Sequence, residues 1–137
     1  MKLEINSERL IREVQHDFND AFPFLKIEFF VNGNGGKHSS SAKKRIASGT
    51  KINETGKNTL FGTVDLSDSM TVSELEKTFK ESFGLAVQVF RKSGNIWLET
   101  TMTDNWTLRQ QNEHGKEIST VQVRKSNISD LERAEED

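Results

Sequence analysis

The chain has 137 residues, which is the size of one ordinary domain. It contains no cysteine, so disulfides, thiolate metal sites and cysteine nucleophiles are excluded. The N-terminal residues lack an apolar signal core, and no apolar run approaches the ~20 residues of a membrane helix. We therefore expect a cytoplasmic protein that does not contact a membrane. The net charge of −2 also indicates no general attraction to nucleic acid or anionic lipid.

The first part of the chain has the order strand, helix, strand. Residues 3–5 form a short predicted strand, and Ser7 is a suitable N-cap for the helix that follows. Pro23 ends this helix, because the residue before a proline disfavours the α region. Residues 25–31 then alternate between apolar and polar, as in a half-buried strand. The helix has an apolar stripe with helical spacing, formed by Leu10, Val14, Phe18 and Phe22.

The same order recurs in the second part of the chain. Residues 59–66 form a predicted strand, and Ser69 or Thr71 is expected to cap the next helix. Residues 85–91 form a fourth strand, and a turn signal leads from it into a fifth strand over 96–102. The stripe of this second helix consists of Val72, Leu75, Phe79 and Phe83.

The two parts match residue by residue, which predicts an internal duplication. An offset of 61 residues aligns Leu3 with Val64 and Phe18 with Phe79. Two βαβ units in series are typical of an α+β sandwich with ferredoxin-like βαββαβ topology. We predict this fold for a single domain over 1–125, with the fifth strand added in a hairpin and a C-terminal helical or irregular segment.

The charges are unevenly distributed along the chain. Residues 32–58 carry +5 and hold many of the glycines and serines, so we expect a long basic loop that is mobile. Residues 126–137 carry −4, and we expect them to form a disordered acidic tail.

Alternation along the strands places aromatic residues on the sheet face that points away from the helices. The candidates are Phe30, Phe61, Phe90 and Trp97, one on each of four strands. An apolar face of this kind is normally covered. We prefer the interpretation that residues 103–125 fold back over it, with Trp106 among the covering side chains. A homodimer through this face is an alternative, and Trp106 is then a candidate contact with another protein.

A third interpretation is a stacking platform for single-stranded nucleic acid. The segment Leu60–Val64 resembles the third-strand motif of the RNA-recognition motif in its Phe-Gly pair, which would imply base stacking on Phe61. The first strand, however, presents Lys2 and Glu4 where that family has an aromatic residue. The candidate phosphate contacts are Lys43, Lys44 and Arg45 in the basic stretch.

Motifs for catalysis are missing from the sequence. The three histidines show no metal-binding spacing, and the serines lack a nucleophile-elbow motif. We therefore predict a non-enzymatic domain without metal or cofactor, which binds another protein or a second copy of itself. Weak binding of single-stranded nucleic acid is the alternative.

Overall fold

The computed structural model describes residues 1–31, 44–55 and 61–120. Short 3-10 turns cover Ile52–Thr55 and Thr101–Thr103. The strands and helices in chain order are β1 (Lys2–Asn6), α1 (Ile11–Ala21), β2 (Leu25–Val31), β3 (Lys44–Arg45), β4 (Phe61–Asp65), α2 (Val72–Phe83), β5 (Ala86–Ser93), β6 (Ile96–Glu99) and α3 (108–120).

The strands form two antiparallel sheets, so the fold is mixed α+β. The smaller sheet pairs β1 with β4, and the larger has the order β3-β2-β5-β6. This order does not confirm the predicted ferredoxin-like topology, in which both strands of a βαβ unit belong to the same sheet. Here β1 and β2 lie in different sheets, and each strand pairs with its counterpart from the second part of the chain. Apolar alternation determines which side chains are buried, but it does not determine which strand is the neighbour.

The aromatic side chains of the two helical stripes form the centre of the core. Phe18 and Phe79 are fully buried; Phe18 packs against Phe22, which directly follows α1, and Phe79 packs against Phe83 at the end of α2. The ring of Phe79 also meets Phe29 of β2 edge to face, with 5.7 Å between the ring centroids. The helical stripes read from the sequence are therefore buried, except that Leu10 is half-buried and precedes α1 as its N-cap.

Helix α1 begins against residues 48–52 rather than at the predicted cap Ser7. The backbone N–H of Ile11 donates to the carbonyl of Thr50, and that of Arg12 donates to Ser48. These amides need acceptors from outside the helix, because the first turn provides none. Ile52 follows directly and is fully buried. The described residues of the basic stretch, 44–55, thus pack on the domain, whereas 32–43 and 56–58 lie outside the described residues.

Helix α2 begins in the same way against the residues before α3. The backbone N–H of Val72 donates to the carbonyl of Trp106, and that of Ser73 donates to Asp104. Thr71 caps this helix by accepting from the N–H of Glu74, as one of the two predicted caps. The segment that supplies the carbonyls continues into Leu108, which is fully buried like Ile52.

The outer edge of β2 is closed by side chains of α1. Asn19 donates to the carbonyl of Leu25 at 2.8 Å, and Gln15 donates to the carbonyl of Ile27 at 2.8 Å. These carbonyls point away from β5 and would otherwise lack a partner in the sheet. The two amides therefore satisfy the exposed edge of this strand.

We expect Asn19→Ala to lower the free energy of unfolding by about 1–2 kcal/mol, because the carbonyl of Leu25 loses its hydrogen-bond donor. Asp20→Ala is the matched control on the same helix, since Asp20 is exposed and, among the described residues, pairs with exposed His16 alone. It should change stability by less than about 0.5 kcal/mol. Urea denaturation of both variants measures the difference, and equal midpoints would contradict a role for Asn19 in closing the edge.

Candidate interaction surface

Three of the predicted aromatic residues share one face of the larger sheet. Phe30, Phe90 and Trp97 lie on β2, β5 and β6, and all three are half-buried. Lys26 is paired directly with Phe90 across the strands and therefore points to the same side. We call the surface formed by Lys26, Phe30, Phe90 and Trp97 the aromatic face.

Lys26 holds the aromatic face together. Its Nζ lies 5.6 Å from the centroid of the Phe90 ring and 5.1 Å from that of Trp97. Cations at this distance over a ring are attracted by its π-electron density. The same Nζ is 3.4 Å from a carboxylate oxygen of Glu28, which fixes the position of the ammonium group. Trp97 is thus held in place before any partner arrives.

Phe61 does not belong to the aromatic face. It lies on β4 in the smaller sheet, paired with Asn6 of β1, and its side chain is 66% exposed. The expectation that it shares a face with Phe30, Phe90 and Trp97 assumed one continuous sheet and is wrong. The β1–β4 pairing removes it from the larger sheet.

Trp106 also lies elsewhere, and its ring packs against α3. Its ring meets His114 edge to face, with 5.4 Å between the centroids, and the guanidinium of Arg91 lies 5.7 Å from its centroid. Arg91 is paired with Leu25, a core residue, and so points to the helix side of the sheet. Trp106 therefore contacts the face opposite to the aromatic face, and it does not cover Phe30, Phe90 or Trp97.

Helix α3 is fixed to the helix side of the sheet through Arg91. Nη1 of Arg91 donates to Gln111 at 2.6 Å, and Gln111 is fully buried and donates to Thr103. Burial lowers the pKa of the Arg91 guanidinium, because the charged form loses hydration. Gly115 allows close approach, since an added Cβ would lie 3.0 Å from side-chain carbons of both Phe24 and Arg91. The described part of the C-terminal segment thus packs beside the helices.

The predicted basic cluster is divided between two faces. Lys44 and Arg45 are consecutive residues of β3, so their side chains point to opposite sides of the sheet. Arg45 lies 3.8 Å from Glu28, which partly neutralises its charge. Lys43 lies outside the described residues. The structure therefore does not bring the described cations together as one patch.

Strand β6 forms an open edge of the larger sheet in the described residues. The N–H of Thr100 donates to the carbonyl of Val89, so the alternation of an antiparallel pair directs the N–H and C=O groups of Trp97 and Glu99 outward. The side chains of Ile96 and Leu98 are 57% and 40% exposed. An apolar edge strand of this kind is a template for pairing with another chain.

The sequence interpretation identified Trp97 but overlooked the edge formed by its neighbours. A turn with Gly94 at φ 64 leads into the strand that contains Ile96, Leu98 and Glu99. The chain leaves the sheet after Glu99. The available signal was the run of three apolar residues, Ile96, Trp97 and Leu98. A strand with one solvated face alternates between apolar and polar residues instead.

A shallow groove of ≈ 290 Å³ separates α1 from the aromatic face, and its lining includes Arg12, His16, Lys26 and Trp97. None of the helices in the described part of the chain has the length and apolar character needed to span a bilayer. Within the same residues, no group of three or more His, Asp or Glu side chains is placed to hold a metal ion. Comparisons of the chain with known family models, curated proteins and solved structures give no match.

We expect Gly115→Ala to lower the free energy of unfolding by about 1–3 kcal/mol, because the added methyl group forces α3 away from Phe24 and Arg91. Gly49→Ala is the matched control, since an added Cβ there meets no atom within 4 Å. Thermal and urea unfolding measure both effects. Tryptophan fluorescence should also change in Gly115→Ala, as Trp106 packs against α3. Equal destabilisation by both substitutions would contradict the close packing of α3.

Proposed function

We propose that this protein is a non-enzymatic interaction domain that binds another polypeptide along the open edge of β6. The observation that carries the proposal is the pair of outward peptide groups at Trp97 and Glu99, in a strand where Ile96 and Leu98 are exposed. An added strand would hydrogen-bond to these groups and extend the sheet.

The side chains of β6 supply apolar contacts on both sides of such a strand. Leu98 points to the helix side of the sheet, as does its cross-strand partner Arg91, and it is exposed. Trp97 points to the aromatic face and is held by Lys26. Tryptophans fixed in this way are favoured anchors of protein interfaces, because little conformational entropy is lost on binding.

The contrast between the two edges of the larger sheet supports the same proposal. The edge of β2 is closed by Asn19 and Gln15, which donate to its carbonyls. The edge of β6 has no corresponding donors among the described residues, and its only charged side chain is Glu99. Open edges of this composition favour association.

Nucleic-acid binding has less support, although it remains the alternative. Phe61 lies in the other sheet, so base stacking across Phe61 and Phe90 together is not favoured. Arg45 faces Glu28, whose carboxylate would repel a phosphate placed there.

We also propose that the two parts of the chain arose by duplication. The matching registers support it, since Leu3 pairs with Val64 in β1–β4, the same two residues that the offset aligns. The helix starts support it as well. The carbonyls of Thr50 and Trp106 accept from Ile11 and Val72, which occupy equivalent positions.

A displayed library of random peptides tests the proposed function on the full chain. We expect the selected peptides to be extended and apolar at alternate positions. Glu99→Pro should weaken their binding by about tenfold or more, because proline removes an outward N–H while the bonds of β6 to β5 remain. Glu99→Ala is the matched control and should retain binding, since it keeps the N–H. Peptides that bind Glu99→Pro as well as the unaltered protein would overturn the proposal.

For the alternative, we expect no retention of a single-stranded oligonucleotide of about 20 residues on the immobilised protein at low salt. The basis is the division of Lys44 and Arg45 between two faces. Filter binding with Lys44→Ala and Arg45→Ala provides the check. Salt-sensitive binding that both substitutions weaken would favour nucleic acid as the partner instead.

A further inference from the structure

We propose that the partner at β6 is a second copy of this chain, which pairs its own β6 antiparallel to the first about a two-fold axis at Leu98. This inference rests on the proposed function, since it needs β6 as the docking edge. It names the occupant of that edge and the register of the pairing.

The outward peptide groups leave three two-fold registers open. Trp97 and Glu99 carry these groups, so they must form the hydrogen-bonded pairs with the second strand. The axis then passes through residue 97, 98 or 99. Each choice places different side chains opposite one another, and their charges distinguish the registers.

Two of these registers bring no opposite charges together. An axis at Glu99 sets the two Glu99 carboxylates directly opposite each other. An axis at Trp97 sets the two indole rings opposite each other, and each ring has the ammonium group of Lys26 at 5.1 Å from its centroid. The first arrangement is destabilised by repulsion between the two carboxylates. The second pairs the two rings, but each Lys26 ammonium group, already beside Glu28, meets no carboxylate of the other copy.

The axis at Leu98 brings opposite charges together instead. It places Glu99 of the second copy beside Trp97, where the ammonium group of Lys26 lies over the ring. The symmetry repeats this contact, so two carboxylates each meet one Lys26. On the other side of the sheet, the two exposed Leu98 side chains meet each other and lose contact with water.

The resulting contact extends the sheet of each copy. Because β6 has 4 residues, the contact is small, and we expect a dissociation constant on the order of 0.1 mM. Self-association at this strength depends on protein concentration, which makes it measurable by sedimentation.

Leu98→Cys tests the register, because the chain contains no cysteine. The two Leu98 positions form a non-hydrogen-bonded pair with Cα atoms about 4.5 Å apart, which suits a disulfide. Ile96→Cys is the matched control on the same strand. Its position faces Thr100 of the second copy, so the two introduced thiols are separated by about four residues of strand, roughly 13 Å. Both sites are exposed, so both variants should fold.

We expect Leu98→Cys to form a covalent dimer at least about tenfold faster than Ile96→Cys under air oxidation, because only its thiols are adjacent. Sedimentation of the unaltered chain between about 5 and about 500 µM should show a monomer that becomes a dimer. Leu98→Lys and Leu98→Glu should each stay monomeric, and a mixture of the two should dimerise, because opposite charges then meet at the axis.

Equal cross-linking rates, or a monomer throughout the concentration range, would overturn the self-pairing. If displayed peptides still bind in a manner that Glu99→Pro abolishes, the edge remains a docking site and its partner is a different polypeptide. If peptide binding is also insensitive to Glu99→Pro, the proposed function fails together with the dimer.

Discussion

The first amides of a helix need acceptors that the helix itself does not contain, and this constraint organises both parts of the molecule. In α1 the acceptors come from residues 48–50, and in α2 they come from residues 104–106. Each of these segments then buries one aliphatic side chain, Ile52 or Leu108, beneath the helix start. A stretch with little apolar content is thereby held in place by backbone hydrogen bonds.

The strand pairing has a corresponding consequence for the surface. Because β2 and β5 pair in the middle of the larger sheet, the strands that follow them, β3 and β6, become its outer members. Helix α1 lies along the part of β2 that β3 leaves uncovered, and its side-chain amides complete the hydrogen bonding there. The far edge of β6 has no such cover in the described residues. The location of the proposed interface therefore follows from the order of strands rather than from a special motif.

Sequence reasoning identified α1 and α2 and all of their buried stripes except Leu10, because helical spacing is a local property that one chain segment reveals. It did not identify the sheet to which each strand belongs. Phe61 illustrates the reason: its alternation is the same whether β4 pairs with β1 or extends the larger sheet, so the pattern alone cannot place its ring. The ordering of 44–55 was missed for a related reason, since backbone hydrogen bonds to α1 leave no signature in side-chain composition. The open edge at β6 was missed for both reasons, because it depends on the order of the strands and on unpaired backbone groups, and neither is visible in the side-chain pattern.

Strands β3 and β6 correspond to each other as the two end strands of the larger sheet. The N–H of Ile46 donates to Phe29 just as the N–H of Thr100 donates to Val89, so the two outer strands occupy equivalent positions. In that alignment Lys44 of β3 stands where β6 has Leu98. A lysine on an edge strand opposes pairing with another chain, because a second strand would bury its charge. One outer strand thus carries a residue that discourages association, and the equivalent strand carries a leucine at the same place. The same backbone arrangement supports both choices, so the difference lies in the side chains, and it concentrates the capacity for binding at β6.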